Sequence, residues 1–327
     1  MTAERNSIYG AEACSGCSLC LLVCPVWRST FDIRLTPHGR AKALQHGATA
    51  FDVADSIDTC TLCGACEPVC PEEIALVDMV LALRRDLAST MPDRVGNAVV
   101  QLQQGVDSNS TTALSAYPTV LLADSALSEQ PQLLQTVLAL FSHEQAGLAA
   151  DSGADIALAL EAGASVPEER LNRFLAPLRT VRRMIVCDGV LLRALRDWLP
   201  RTRIDSLGEA ASSLAGVRAR LRPDDFYVIE SRAYHADRER LVAHYDQLRV
   251  SSGCMMNLDL QRLAIPTTAS HQWMPEKRRV DPADQARWIL EGRVVARVVV
   301  EDCRDIAVFQ RVAPYPVLHV AQLGDAR

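Results

Sequence analysis

Cys14-Ser15-Gly16-Cys17-Ser18-Leu19-Cys20-Leu21-Leu22-Val23-Cys24-Pro25 and Cys60-Thr61-Leu62-Cys63-Gly64-Ala65-Cys66-Glu67-Pro68-Val69-Cys70-Pro71 hold eight of the chain's eleven cysteines. Each stretch has the spacing C-x2-C-x2-C-x3-C-P. In such a run three closely spaced thiolates wrap one corner of an iron-sulfur cubane, and the fourth cysteine points away and ligates the other cluster. The spacing therefore predicts two [4Fe-4S] clusters. Cluster one falls to Cys14, Cys17, Cys20 and Cys70, and cluster two to Cys60, Cys63, Cys66 and Cys24. Each closing proline removes a backbone donor and fixes its own backbone angle, which turns the chain away just after the fourth thiolate. Structural zinc uses paired knuckles and four ligands per site, leaving no job for the third cysteine of a run. A disulfide framework needs an oxidising compartment, and the opening MTAERNSIYG lacks the apolar core of a signal peptide. The expected location is cytoplasmic.

A chain of 327 residues with 49% hydrophobic side chains can bury two cores more readily than one. Its formal charge of -6 becomes more negative once thiolate-bound clusters are added, so nucleic acid is not an expected partner. The basic patch at Glu276, Lys277, Arg278 and Arg279 reads as a solvated loop. No stretch approaches the roughly 18 uncharged apolar residues of a membrane span, so any membrane association would be peripheral and through a partner.

Residues 1–92 are expected to form an all-α cluster domain. Between the two runs, Pro37 to Leu44 reads as helix; after the second, Ile74 to Leu83 reads as an amphipathic helix continuing through Arg84 and Arg85. His38 and His46 are expected at the surface, because every ligand place is already taken. Residues 93–117, with Gln101, Gln103, Gln104, Asp107, Ser108, Asn109 and Ser110, read as a linker carrying at most one short helix.

From residue 118 to 327 strands alternate with helices, which predicts an α/β domain with mainly parallel sheets. Thr119–Asp124, Met184–Cys187, Phe226–Glu230 and Val298–Cys303 read as strands, with helices around 133–138 and 240–245. A Leu-Gly-acid triplet starts 20 residues after both Cys187 and Cys303, at Leu207-Gly208-Glu209 and Leu323-Gly324-Asp325. This repetition predicts an internal duplication, with halves of about 118–215 and 216–327. The fold class is thus multidomain α+β: a helical dicluster domain followed by a duplicated α/β domain.

On these motifs, and on Thr36-Pro37-His38-Gly39-Arg40 between the runs, the chain resembles the iron-sulfur subunits of glycolate oxidase, lactate utilisation and anaerobic glycerol-3-phosphate dehydrogenase, and the related heterodisulfide reductase subunits. The resemblance implies a helical dicluster ferredoxin domain followed by two cysteine-rich repeats, each with a Cys-Cys-Gly element and a later strand ending in Cys-x2-Cys. Here Asp151-Ser152-Gly153 and Ser251-Ser252-Gly253 stand where Cys-Cys-Gly is expected, and Val190 and Ile306 replace the second cysteine after Cys187 and Cys303. Another strand ends at Ser231-Arg232-Ala233-Tyr234-His235. Oxygen ligands are poorer partners for iron-sulfur clusters than thiolates, so the repeats are expected to have lost their own cluster. Cys187, Cys254 and Cys303 are expected to be small buried hydrophobes; joined by Asp151 or His235 they are the alternative site for a further cluster or iron ion.

The resemblance implies an electron-transfer subunit of an oxidoreductase complex, fed by a flavin-bearing dehydrogenase or reductase subunit and passing electrons to a downstream carrier. The alternatives are a catalytic subunit of the heterodisulfide reductase kind and an assembly or docking module.

Overall fold

The computed structural model describes residues 10–107, 117–267, 274–277 and 279–324. Sequence readings at residues 1–9, Ser108, Asn109, Ser110, Arg278 and Asp325 lie outside them.

The cysteine-rich part is built from short helices: α1 (Leu19–Leu22), α2 (Pro25–Thr30), α3 (Pro37–Gln45), α4 (Ala54–Thr59) and the longer α5 (Leu76–Thr90). Pro25 and Pro37 open their helices, where a missing N–H costs nothing. Thr36 caps α3 by accepting from the Gly39 N–H at 3.2 Å. In α5 the buried stripe is Leu76, Val77, Met79, Val80, Leu83, Arg84 and Leu87, spaced to face one core. That core also takes Ala41, Leu44, Ile57, Leu62 and, from the α/β part, Val190.

The stretch expected as linker carries a three-turn helix, α6 (Gly96–Asp107). Val95, Ala98 and Leu102 bury themselves beside Val120, Leu122 and Ile156. The glutamines that weakened the sequence pattern are compatible with helix, and a narrow apolar face is enough when a sheet-covering layer receives it.

Two four-stranded parallel sheets follow, making the chain a mixed helix-and-sheet protein. The first contains β1 (Thr119–Leu122), β2 (Ala146–Leu148), β3 (Arg183–Val186) and β4 (Arg203–Ser206) in the order β2-β1-β3-β4. The second contains β5 (Asp225–Val228), β6 (Met255–Met256), β7 (Arg297–Val300) and β8 (Val317–His319) in the order β6-β5-β7-β8. Alternating side chains serve different cores, as the pleat requires. Leu121, Ile185, Tyr227 and Val299 enter one core shared by both sheets. Val120, Leu122, Met184 and Val186 point to a second core, and Phe226, Val228, Val298 and Val300 to a third.

The helices that matter to the site are α7 (Ser125–Ser128), α8 (Pro131–Leu140), α9 (Ala154–Ala162), α10 (Glu168–Leu178), α11 (Gly189–Trp198), α12 (Leu207–Ser212), α13 (Ala215–Arg218), α14 (Ser231–Ala236), α15 (Arg238–Ser252), α16 (Pro282–Leu290) and α17 (Cys303–Val312).

Strand register corrects how the two halves correspond. Val186 pairs with Leu122 and Ser206, and Val300 pairs with Val228 and His319, so Val186 and Val300 hold the same place. Cys187 then corresponds to Glu301, and Cys303 to Gly189. Asp188 and Asp302 are the equivalent helix caps, with Cys187 before one and Cys303 after the other. The Leu-Gly triplets do not coincide either: Leu207 and Gly208 open α12, whereas Leu323 and Gly324 close the last helical turn. Ser251-Ser252-Gly253 runs directly into β6, and the stretch running into β2 is His143-Glu144-Gln145, not Asp151-Ser152-Gly153. Gln145 and Gly253 both take left-handed backbone, with φ of 53° and 72°.

Candidate metal centre

The two cysteine runs adopt the same backbone curl. Positive φ falls at the second and fourth positions after the leading cysteine in both: 83° at Gly16 and 66° at Ser18, 55° at Leu62 and 76° at Gly64. Glycine accepts such angles freely, but serine and leucine pay for them, so both loops are held in a strained curl. Alternating hands of this kind aim successive N–H groups into a concavity that suits an anion.

The thiols form two groups. Burial pushes the Cys20 thiol up to about 11, with repulsion from Cys14, Cys17 and Cys70 adding to it. Burial likewise raises Cys66 well above the ordinary thiol range, with Cys63, Cys60 and Cys24 adding. Cys24 is pushed up to about 12 by burial, against the lowering effect of N–H groups at the start of α2, with Cys63 and Cys60 raising it further. Cys70 thus lies near Cys20, and Cys24 near Cys66. The Cys20, Cys24 and Cys66 thiols therefore resist ionisation until a cationic core neutralises them, and binding such a core releases their protons.

A cavity of about 430 Å³, including its open mouth, lies among Cys24, Cys60, Cys63 and Cys66. Val23, Pro25, Leu62, Leu76 and Val77 line the rest, with Arg40. Among the described residues no three His, Cys, Asp or Glu side chains close on a point as they would around one metal ion. Thiolates around a four-iron cubane stand farther apart than the ligands of one ion. An all-thiolate donor set in an apolar cavity suits an iron-sulfur cluster.

The two groups differ in exposure. Cys17 is exposed, whereas Cys63 is buried. The buried loop is gripped through its carbonyls. Arg84 donates to the Cys60 carbonyl at 2.8 Å and to that of Ile57 at 3.2 Å. Arg232 donates from Nε to the Thr61 carbonyl at 2.9 Å and makes a bidentate pair with Glu161 at 3.1 and 3.2 Å. His235 donates from Nδ1 to the Cys63 carbonyl at 2.7 Å. Burial pushes this histidine down to about 4, which keeps the ring neutral with its proton on Nδ1. Gly64 allows the approach, because a Cβ there would stand 2.8 Å from the His235 Cβ.

These partners come from α5, α9 and α14, and periodicity alone did not single them out. The available signals are a charge inside the apolar stripe of α5 and the Arg232–His235 stretch that follows a strand. Of the histidines in the cysteine-rich part, His46 is exposed, and His38 is half-buried with Nδ1 3.3 Å from Ser18 Oγ.

The other candidate thiols are not assembled into one site. Cys187 and Cys303 line a cavity at the carboxyl ends of the strands with Asp124, Glu230, Glu301, Asp302 and His319. Cys254 is elsewhere, its sulfur 3.0 Å from Ser252 Oγ. Asp151 is engaged by Arg170 at 2.7 and 2.9 Å, and His235 is held by the Cys63 carbonyl. Three of the cavity's acids are helix caps, Asp124 for α7, Glu230 for α14 and Asp302 for α17, and Glu301 accepts from the Tyr227 and Tyr245 hydroxyls and the Glu230 N–H. Burial raises the Cys187 and Cys303 thiols, and Asp124 and Asp302 add repulsion.

Residues 10–74 match the family model of the 4Fe-4S dicluster domain. No curated protein and no solved structure matched the chain. The matched segment contains both cysteine runs, so this part of the chain is an iron-sulfur domain of the 4Fe-4S type. No helix among the described residues is long and apolar enough to cross a membrane.

Proposed function

We propose that the chain is an electron-transfer subunit whose two [4Fe-4S] clusters relay single electrons within a redox complex. Cys14, Cys17, Cys20 and Cys70 hold cluster one, and Cys60, Cys63, Cys66 and Cys24 hold cluster two. The observation that carries this reading is that Cys24, the last cysteine of the first run, lines one cavity with Cys60, Cys63 and Cys66 of the second. Exchanging the fourth ligand ties the clusters into one rigid unit, which favours transfer between them. When bound, such clusters supply one-electron redox chemistry at potentials set by burial, charge and hydrogen bonding.

Cluster one, with exposed Cys17, is the end that exchanges electrons with another protein, and cluster two lies against the α/β part. By the resemblance in the motifs, the donor is a flavin-dependent dehydrogenase or reductase subunit and the acceptor a downstream carrier. Residues 1–92 serve as the cluster domain. The α/β part, as two halves of one duplicated unit, serves as the scaffold that docks and positions them.

Iron and sulfide analysis of anaerobically purified protein tests the reading, with about eight irons per chain expected. A colourless, zinc-loaded protein would overturn it. Purification from the native host should also bring down a flavoprotein; a stable monomer with its own turnover would refute the subunit role.

A further inference from the structure

Arg40 is 1% exposed and lines the cavity between the cluster-two cysteines. Its Nη1 donates to the Ser56 carbonyl at 2.8 Å and to Ser56 Oγ at 2.7 Å. Its Nε has no partner, and among the described residues no carboxylate reaches its guanidinium. Neighbouring arginines are better provided: Arg232 has Glu161, Arg94 has Asp58 and Arg193 has Glu67. Burying a guanidinium without a counter-charge is expensive, and a guanidinium cannot escape by losing its proton. A cubane held by four thiolates is anionic in both redox states and gains one more negative charge on reduction.

We propose that Arg40 is the counter-charge of cluster two and sets its potential, favouring the reduced cluster by facing it across the cavity. The inference rests on the reading of Cys24, Cys60, Cys63 and Cys66 as ligands of one cluster. It also gives a role to four of the five residues of the Thr36–Arg40 motif. Thr36 caps the helix and Pro37 opens it. Gly39 packs so closely on the preceding turn that a Cβ would stand 2.0 Å from the Ile33 carbonyl oxygen. Arg40 is thereby aimed inward. Cluster one has a different arrangement: Lys42 Nζ donates to the Cys14 carbonyl at 3.0 Å and to Gln45 at 2.8 Å, beside the exposed Cys17. Water screens charges there, so the effect of Arg40 is selective for cluster two.

The test is an EPR-monitored redox titration of the full-length protein with iron and sulfide counts, for wild type, Arg40→Met and Arg40→Lys. Cluster two is identified as the signal lost in Cys24→Ser. Arg40→Met is expected to move the cluster-two midpoint to more negative potential while cluster one stays within error, and Arg40→Lys is expected to remain near wild type. Selective loss of cluster-two iron in Arg40→Met, with retention in Arg40→Lys, would support the same role. Unchanged midpoints in a fully loaded Arg40→Met would overturn it. So would an Arg40→Lys protein that shifts, or sheds iron, as far as Arg40→Met, or a shift confined to cluster one. Wild-type protein lacking two cubanes would instead sink the ligand assignment itself.

Discussion

Arg232 joins three parts of the molecule, and replacing it by Met should be costly in a calculable way. Its guanidinium pairs with Glu161 at 3.1 and 3.2 Å, both side chains being 3% exposed, and its Nε serves the Thr61 carbonyl at 2.9 Å. The substitution leaves a buried carboxylate without its bidentate partner. Breaking a buried pair from one side costs about 3–5 kcal/mol, and the orphaned carbonyl overlaps with that figure. At about 2 °C per kcal/mol, the lower end for large domains, the apparent melting temperature should fall by about 6–10 °C. The assay is circular dichroism at a fixed scan rate on cluster-loaded protein, since unfolding with cluster loss is irreversible. A second arm removes both charges in Glu161→Leu with Arg232→Met. Most of the loss should return, leaving about 1–3 kcal/mol for the Thr61 carbonyl. A drop below about 2 °C in the single variant, or a double variant as unstable as the single, would refute the reasoning.

The proposed exchange of ligands predicts crossed phenotypes: Cys70→Ser should remove the cluster-one EPR signal and Cys24→Ser the cluster-two signal, and damage confined to the cluster of the same run would count against the exchange. Gly64→Ala combines a φ of 76° with a Cβ 2.8 Å from His235, so it should cost about 1–3 kcal/mol and speed iron release from cluster two, followed by bleaching at visible wavelengths. Cys187→Ser and Cys303→Ser, alone or together, should leave iron content and both midpoints at wild-type values; loss of iron would place metal in the α/β part. Stability should change little between about pH 5 and 6, because two sets of buried groups oppose each other. Burial holds His235, His244 and His319 down to about 4, so their stabilisation is complete above the unfolded histidine pKa and is lost as pH falls. Burial raises Glu230 and Glu301 to about 7 and Asp124 to about 6, so these groups stabilise the fold as pH falls into the same window. A steep slope in urea midpoint across that window would contradict the balance.

Local chemistry made much of the molecule legible in advance. Helix formation after Pro37 and across Leu76–Thr90 follows from a proline at the first turn and from apolar residues spaced to one face. Strands at 119, 184, 226 and 298 announce themselves as short apolar runs rich in β-branched and aromatic residues or leucine. The strands Ala146–Leu148 and Met255–Met256 escape notice because two or three residues carry no periodicity, and only pairing with β1 and β5 makes them strands. The register between the halves is illegible in sequence for a related reason: identical triplets are cheap in sequence, whereas backbone pairing admits one register.

What the sequence determined by itself was the chemistry of its first part. Cysteines at iron-sulfur spacing mark residues 10–74 as a 4Fe-4S domain, because a thiolate's affinity for iron and sulfide is a property of the residue and its near neighbours. Tertiary structure alone decided the surroundings: which group lies open at Cys17 and which is enclosed at Cys63, how Arg232 reaches Thr61 across 171 residues, and that no carboxylate among the described residues reaches Arg40. Charge and burial act through space, and the neighbours that supply them are brought together only when the sheets and helices pack.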